Sequence, residues 1–298
     1  EREVDRFIDS AETFQSTVTS LVRREYLQKR RARDRWYGER LEAEERAFNE
    51  AREESIRVFE DFVRRYPAHP KYTPDAMFRL GELYFERSSI EFQQLYDDAQ
   101  AAREAGDLAA EDNLPTSPDF TPTVTLYKTL ARRFPSYERA DGVYYLIGYT
   151  LNEMGRSEEA VAAWLALVCA NKYVYNPNWR PPPPDASLAA QAKYPALTLD
   201  GRPLGAPVNG VFVDPYDDCS PISAEARFTS ETWFRIGEHH FDDFGGRNAL
   251  DLSIAAYARI LETPSDRNYN LALYKVAWSY YRASRYPEAI RHFAKLVQ

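Results

Sequence analysis

Two stretches of the chain repeat the same order of apolar and polar positions. Ala140–Leu167 reads A-D-G-V-Y-Y-L-I-G-Y-T-L-N-E-M-G-R-S-E-E-A-V-A-A-W-L-A-L, and Tyr269–Leu296 reads Y-N-L-A-L-Y-K-V-A-W-S-Y-Y-R-A-S-R-Y-P-E-A-I-R-H-F-A-K-L. The two align without a gap. In each, a short polar turn separates two runs with apolar residues at i, i+3, i+4 and i+7, the stripe of an amphipathic helix. Three further segments carry parts of the pattern. E-S-I-R-V-F-E-D-F-V-R-R-Y-P ends at Pro67 and reads as a second helix. D-A-M-F-R-L-G-E-L-Y, ending at Tyr84, reads as a first helix whose partner is delayed to Val124–Phe134. T-S-E-T-W-F-R-I-G-E-H-H, ending at His240, is followed by S-I-A-A-Y-A-R-I-L, ending at Leu261. One helix hairpin cannot bury its apolar stripe, but stacked hairpins can, so the pattern predicts an all-α solenoid. Gly81, Gly148, Gly237 and Ala277 fall where the two helices of a hairpin must approach closely. Tyr66-Pro67 and Phe134-Pro135 close helices, because the residue before proline avoids the α region.

The pattern is absent from Glu3 to about Glu54. That segment reads as one or two long, highly charged helices with Phe7, Ile8, Phe14, Val18, Leu21, Val22, Tyr26 and Leu27 as an apolar seam. Such a seam suits either a capping helix or a coiled-coil contact with another chain. The chain therefore divides into a charged helical segment, 1–54, and a solenoid of about five units, 55–298. Two insertions interrupt the solenoid. The first, about 87–121, begins helical and breaks at Asn113-Leu114-Pro115 and Pro118, as an elongated hairpin would. The second, about 170–222, is proline-rich and irregular. Pro181–Pro184 favour a polyproline II rod, and Gly201, Gly205 and Asn209-Gly210 signal turns. Val211-Phe212-Val213 reads as one short strand. Trp179, Tyr194, Leu197, Leu199, Phe212 and Tyr216 give the insertion enough apolar surface to pack on the solenoid.

The spacing resembles the tetratricopeptide repeat (TPR) family. Tyr144, Ile147, Gly148 and Leu151 match its first-helix signature, and Ala160, Trp164 and Leu167 its second. Leu273, Val276, Ala277 and Tyr280, then Ala289, Phe293 and Leu296, repeat the match. Met77, Leu80, Gly81 and Tyr84, and later Trp233, Ile236 and Gly237, match in part. The resemblance implies a right-handed α-solenoid of antiparallel helix pairs that binds a protein partner. It further implies a concave groove lined by first-helix residues one step off the packing stripe. Here those are Phe78, Glu82 and Phe85; Tyr145, Tyr149 and Asn152; Phe234, Glu238 and Phe241; and Tyr274, Trp278 and Tyr281. Each trio lies at i, i+4 and i+7 and so shares a face. Nine of the twelve are aromatic, more than a merely solvated groove needs. Two fillings compete: the proline-rich insertion folded back, or an extended segment of another protein. Aromatic grooves suit proline-rich segments, while Glu82, Glu238 and Asp242 would favour a basic one. Stacking on glycans or small molecules is a further use of such a face.

Charge and chemistry narrow the function. The net charge of -8 gives no general basis for gripping nucleic acid. A local run, Arg23, Arg24, Lys29, Arg30, Arg31, Arg33 and Arg35, is followed at once by Glu39, Glu42, Glu44 and Glu45 and reads as a solvated helix face. No window approaches a membrane span. There is no nucleotide-binding glycine loop and no nucleophile motif, so a non-enzymatic chain without a cofactor is expected. Adjacent His239 and His240 point about 100° apart on a helix and make a poor metal pair. Asp214, Asp217 and Asp218 lack the spacing of a calcium loop. Cys169 and Cys219 flank the second insertion, as either a disulfide or two buried thiols. The chain starts at Glu1 and stops as a repeat closes, as a fragment of a longer chain would. The Y-P and F-P helix ends and the acidic character resemble TPR proteins of the Gram-negative cell envelope. That resemblance implies a periplasmic or outer-membrane-associated scaffold, with a homo-oligomeric structural subunit as the alternative.

Overall fold

The computed structural model describes the backbone of residues 2–297 except 108, 111, 113, 177–197, 200–201, 205–206 and 244–247. Side chains are described from Val18 onward, outside 198–203. The chain divides into two compact units, Glu1–Val58 and Phe59–Gln298. The first unit lies within a single helix, α1, which runs unbroken from Arg2 to Arg65 over 64 residues, about 96 Å. No break falls at residues 54–55. The same helix continues into the segment that reads as the closing helix of a first repeat. Gly38 is the strongest helix breaker between Arg2 and Arg65, and one glycine does not stop a helix.

Among its described residues the second unit holds four helix pairs. They are α2 (Tyr72–Glu104) with α3 (Thr121–Arg133), α4 (Ala140–Glu153) with α5 (Ser157–Val168), α6 (Thr229–Asp242) with α7 (Ala249–Leu261), and α8 (Tyr269–Arg282) with α9 (Tyr286–Leu296). From α2 to α9 each helix packs on its neighbours in chain order, the nearest-neighbour stacking of a solenoid.

The glycines show how a pair closes. A Cβ on Gly81, Gly148 or Gly237 would stand under 3.0 Å from the ring of Tyr127, Trp164 or Tyr257, respectively. Each second helix thus lays one aromatic ring directly on the glycine of its first helix. The ring's polar end then finds a partner across the pair. Tyr127 Oη donates to the Phe78 carbonyl (3.4 Å) and Trp164 Nε1 to the Tyr145 carbonyl (3.3 Å), each three residues before the glycine. Tyr257 Oη donates instead to the Glu238 carboxylate (3.1 Å). A large ring is buried there without leaving its donor unpaired. The last pair has Ala277 at the equivalent position, itself fully buried.

A second device sets the spacing between pairs. The start of each first helix is hydrogen-bonded to the loop that enters the next one. Tyr137 Oη donates to Asp75 (2.8 Å), Arg227 N to Asp141 (2.8 Å), and Ser230 Oγ to Asp266 (2.6 Å). A buried ion pair, Lys128 with Glu159 (3.3 Å), ties α3 to α5, and Arg156 joins the same carboxylate.

The first insertion is an extension of α2 alone, which at 33 residues reaches about 50 Å. Its partner α3 keeps ordinary length at 13 residues, so the expected elongated hairpin has only one long arm.

The second insertion has a tight neck. Cys169, at the end of α5, is disulfide-bonded to Cys219. Around the bond, Ala170 N donates to the Ser220 carbonyl (2.9 Å) and Ile222 N to the Leu167 carbonyl (2.8 Å). Asn171 Nδ2 donates to the Asp218 carbonyl (2.8 Å), and its Oδ1 accepts from Ser220 N (2.8 Å). Beyond the neck, Tyr216 is fully buried against Trp233, and Phe212 packs on the core. Trp179, Pro181–Pro184, Tyr194 and Leu197 lie outside the described residues. Thr198–Leu199 (β1) pairs antiparallel with Arg202–Pro203 (β2). Val211–Val213 does not form the expected strand. Val211 makes a single bridge to Val208, and Asn209 and Gly210 between them both have positive φ (51° and 80°), as a tight hairpin turn demands.

Candidate functional site

The twelve first-helix positions expected to line a groove meet three different fates. Phe78 and Phe234 are core side chains. Phe78 packs near Tyr127 and Tyr137 and Phe234 near Tyr257.

A second group is half-buried by side chains of its own pair and the adjoining one. Phe85 stacks on Phe120 (4.5 Å) and lies 6.0 Å from Tyr149. Tyr145 stacks on Phe228, in the segment entering α6 (4.9 Å). Arg235 of α6 stands over the Tyr149 ring at 5.7 Å. Burial pushes the Tyr145 hydroxyl pKa up, and nearby Glu231 adds to the shift. Described neighbours thus partly fill this stretch of the face. Asn152 accepts from Ser157 Oγ (3.3 Å) and braces the α4–α5 turn.

Two of the acidic positions pair with cations, Glu82 within its own helix and Glu238 across to the next pair. Glu82 bonds Arg79 (2.7 Å), and Glu238 bonds Lys275 (2.5 Å) as well as Tyr257. A basic partner at Glu82 or Glu238 would share these carboxylates with the cations already beside them.

The third group is exposed among the described residues. Tyr274, Trp278 and Tyr281 are 43, 37 and 51% exposed. Trp278 meets Tyr274 edge-on (6.1 Å), Tyr281 edge-on (5.5 Å) and Phe293 of α9 edge-on (5.6 Å). Tyr281 in turn meets Tyr286 (5.5 Å). Phe241 of α6 adjoins α8, with Lys275 Nζ 5.0 Å and the Arg282 guanidinium 4.4 Å from its ring centre. The result is a ladder of rings with amphipathic edges beside two cations.

Other residues capable of chemistry are engaged elsewhere. His240 is buried and shares a 2.8 Å hydrogen bond with Tyr216. Burial, with a smaller contribution from His239, pulls its pKa down to about 3, so it is neutral at any ordinary pH. The pKa of His239 is lowered by burial too, against the opposing pull of Asp243 and Asp242. Asp214 bonds Arg259 (2.9 Å) and accepts from Tyr216 N (2.8 Å), which anchors the insertion to α7. Among the described residues no group of three or more His, Cys, Asp or Glu side chains is placed to hold a metal. A cleft of about 600 Å³ opens between residues 135–141 and 222–227, lined by both signs of charge, including Arg139, Asp141, Glu225 and Arg227. It lies at the loop ends of the pairs, away from the aromatic ladder. Sequence reasoning did not point to it, because its two walls are more than eighty residues apart.

Among known families, the sequence profile of the tetratricopeptide repeat matches residues 271–298, the span of α8 and α9. The pair that presents the ladder is therefore similar to a tetratricopeptide repeat. No curated protein shows significant similarity to the chain. Among the described residues no helix is long and apolar enough to cross a membrane.

Proposed function

We propose that this tetratricopeptide-repeat chain is a non-enzymatic scaffold that binds a segment of a partner protein on the aromatic ladder of α8. Tetratricopeptide repeats generally mediate protein–protein interaction. The single observation that carries the reading is the exposure of Tyr274, Trp278 and Tyr281 as a connected set. Rigid, amphipathic rings give contact area at little entropic cost and recur as binding hot spots. Because Glu82 and Glu238 are already paired, an extended proline-rich segment suits the ladder better than a basic one. Such a segment is stiff before it docks.

The disulfide at the neck of the insertion supports an oxidising compartment. Together with the sequence resemblance, it favours a place in the periplasm or at the outer membrane, within an assembly of the cell envelope.

Calorimetric titration of the full chain with a panel of proline-rich peptides tests the reading. At least one peptide should bind with micromolar affinity. Tyr274→Ala with Trp278→Ala should weaken it at least tenfold, in keeping with about 2 kcal/mol for hot-spot rings. Binding that survives this double variant would place the contact elsewhere. Binding by peptidoglycan fragments and by no peptide would replace the protein ligand with a glycan.

A further inference from the structure

From Val18 to Ala51 every residue of α1 is exposed except Gly38 and Asn49, which are half-buried. Within this stretch three of the four aromatic residues, Tyr26, Tyr37 and Phe48, recur every eleven residues. Eleven residues are almost a whole number of turns, three at 3.6 residues each, so the repeat keeps one face of a nearly straight helix. At 100° per residue these three rings and Leu41 fall within about 60° of one another. Tyr26, Tyr37, Leu41 and Phe48 are 63, 59, 60 and 56% exposed. Nothing among the described residues covers this stripe, and an apolar face of this length is a contact surface.

The charges of the same stretch say what contact it fits. Residues 23–35 carry seven cations against Glu25 and Asp34, while 39–54 carry seven carboxylates against Arg40, Arg46 and Arg52. Some charges pair along the helix, as Lys29 does with Glu25 and Arg40 with Glu44. Arg23, Arg24 and Arg31, and Glu39, Glu42 and Glu45, make no ion pair among the described residues. The helix is bipolar about Tyr37, and a bipolar helix is complementary to itself turned end for end.

We propose that α1 associates with α1 of a second copy of this chain as an antiparallel pair centred on Tyr37. In that register Tyr37 meets its own counterpart, Tyr26 of each copy meets Phe48 of the other, and each basic block lies along an acidic block. A parallel, in-register pair would instead set like charge on like charge.

The experiment uses the full chain. Sedimentation over a range of concentrations should give twice the chain mass, and raising the salt should weaken association as the charged blocks are screened. Leu41→Glu with Phe48→Glu should give a monomer. Because these positions are exposed, the helical signal of the solenoid should survive. Orientation is read with one spin label. Both native cysteines are bonded to each other, so Gln28→Cys is a unique attachment site. An antiparallel pair centred on Tyr37 sets the two labels about 27 Å apart along the helix axis, whereas a parallel pair sets them level. Reversing Glu39, Glu42 and Glu45 to Lys should block self-association. A second variant with Arg23, Arg24 and Arg31 reversed to Glu should block it too, and mixing the two should restore the double mass. A chain that stays monomeric at high concentration, or labels that lie level, would overturn the proposal.

Discussion

In α4 Tyr145 and Tyr149 are half-buried by neighbouring side chains, whereas Tyr274 and Trp278, at the same two positions of α8, are exposed. Trp164 is 1% exposed, lies on Gly148 and bonds the Tyr145 carbonyl. Tyr145 and Tyr149 of the same pair are met by Phe228 and Arg235. In the last pair Ala277 replaces the glycine, and Trp278 remains 37% exposed among other rings. The stripe that holds a pair together and the face that greets a partner are read from one helical period. What separates them is whether a neighbouring element supplies a ring to cover the second face. In repeat proteins, therefore, aromatic content marks stability and recognition alike, and only the packing of the adjacent pair tells them apart.

The largest contrast should come from truncating one tryptophan in each pair. Trp164→Ala removes a buried ring and its hydrogen bond and should cost about 3–5 kcal/mol in urea unfolding. Trp278→Ala should cost about 0.5 kcal/mol, as exposed positions do. Equal losses would mean that the two pairs are packed alike. Next is the glycine. Gly148→Ala places a methyl group under the Trp164 ring and should destabilise by about 3 kcal/mol, although alanine is the better helix former. Its mirror experiment, Ala277→Gly, should cost about 1 kcal/mol from helix propensity alone. The third test uses His240, which belongs to the inner packing. Its folded pKa, about 3, lies below the ordinary 6.5. As pH falls from 7 to 5 the unfolded chain takes up a proton that the folded chain refuses, so stability falls. That loss should be about 2 kcal/mol from this residue. In His240→Gln the pH slope between 7 and 5 should shrink by that amount, and an unchanged slope would mean the ring is protonated in the fold.

The repeat itself was legible because Gly81, Gly148 and Gly237, with the aromatic residues of the second helices, are local features of fixed spacing. The helix ends were legible for the same reason, since proline acts on its own neighbour. What escaped was non-local. His240 reads as the polar end of a helix, yet Tyr216, 24 residues upstream, arrives to bury it. Tyr145 and Tyr274 occupy equivalent positions, and no spacing reveals that Phe228 covers the first. Glu238 reads as an acidic groove residue because its cation, Lys275, belongs to the next pair. The continuity of α1 escaped for the opposite reason. No breaker stands between Arg2 and Arg65 stronger than Gly38, and the change of pattern near residue 54 is a change of surroundings, not of backbone.

The neck of the second insertion has a bearing on how the chain can change over time. Its strands leave and return side by side, with the α-carbons of Cys169 and Cys219 4.5 Å apart. For the helices on either side, fifty residues are mechanically equivalent to a short turn. Closing a longer loop adds only about 0.6 kcal/mol for each doubling of its length. Between Asn171, Tyr173 and Tyr175 on one side and Leu204, Phe212, Asp214 and Tyr216 on the other, a change in length therefore costs the stacking of α5 on α6 little. The insertion is a mounting point, a place where a lineage can fit a new module to an old spine, or where a protein engineer can splice in a reporter.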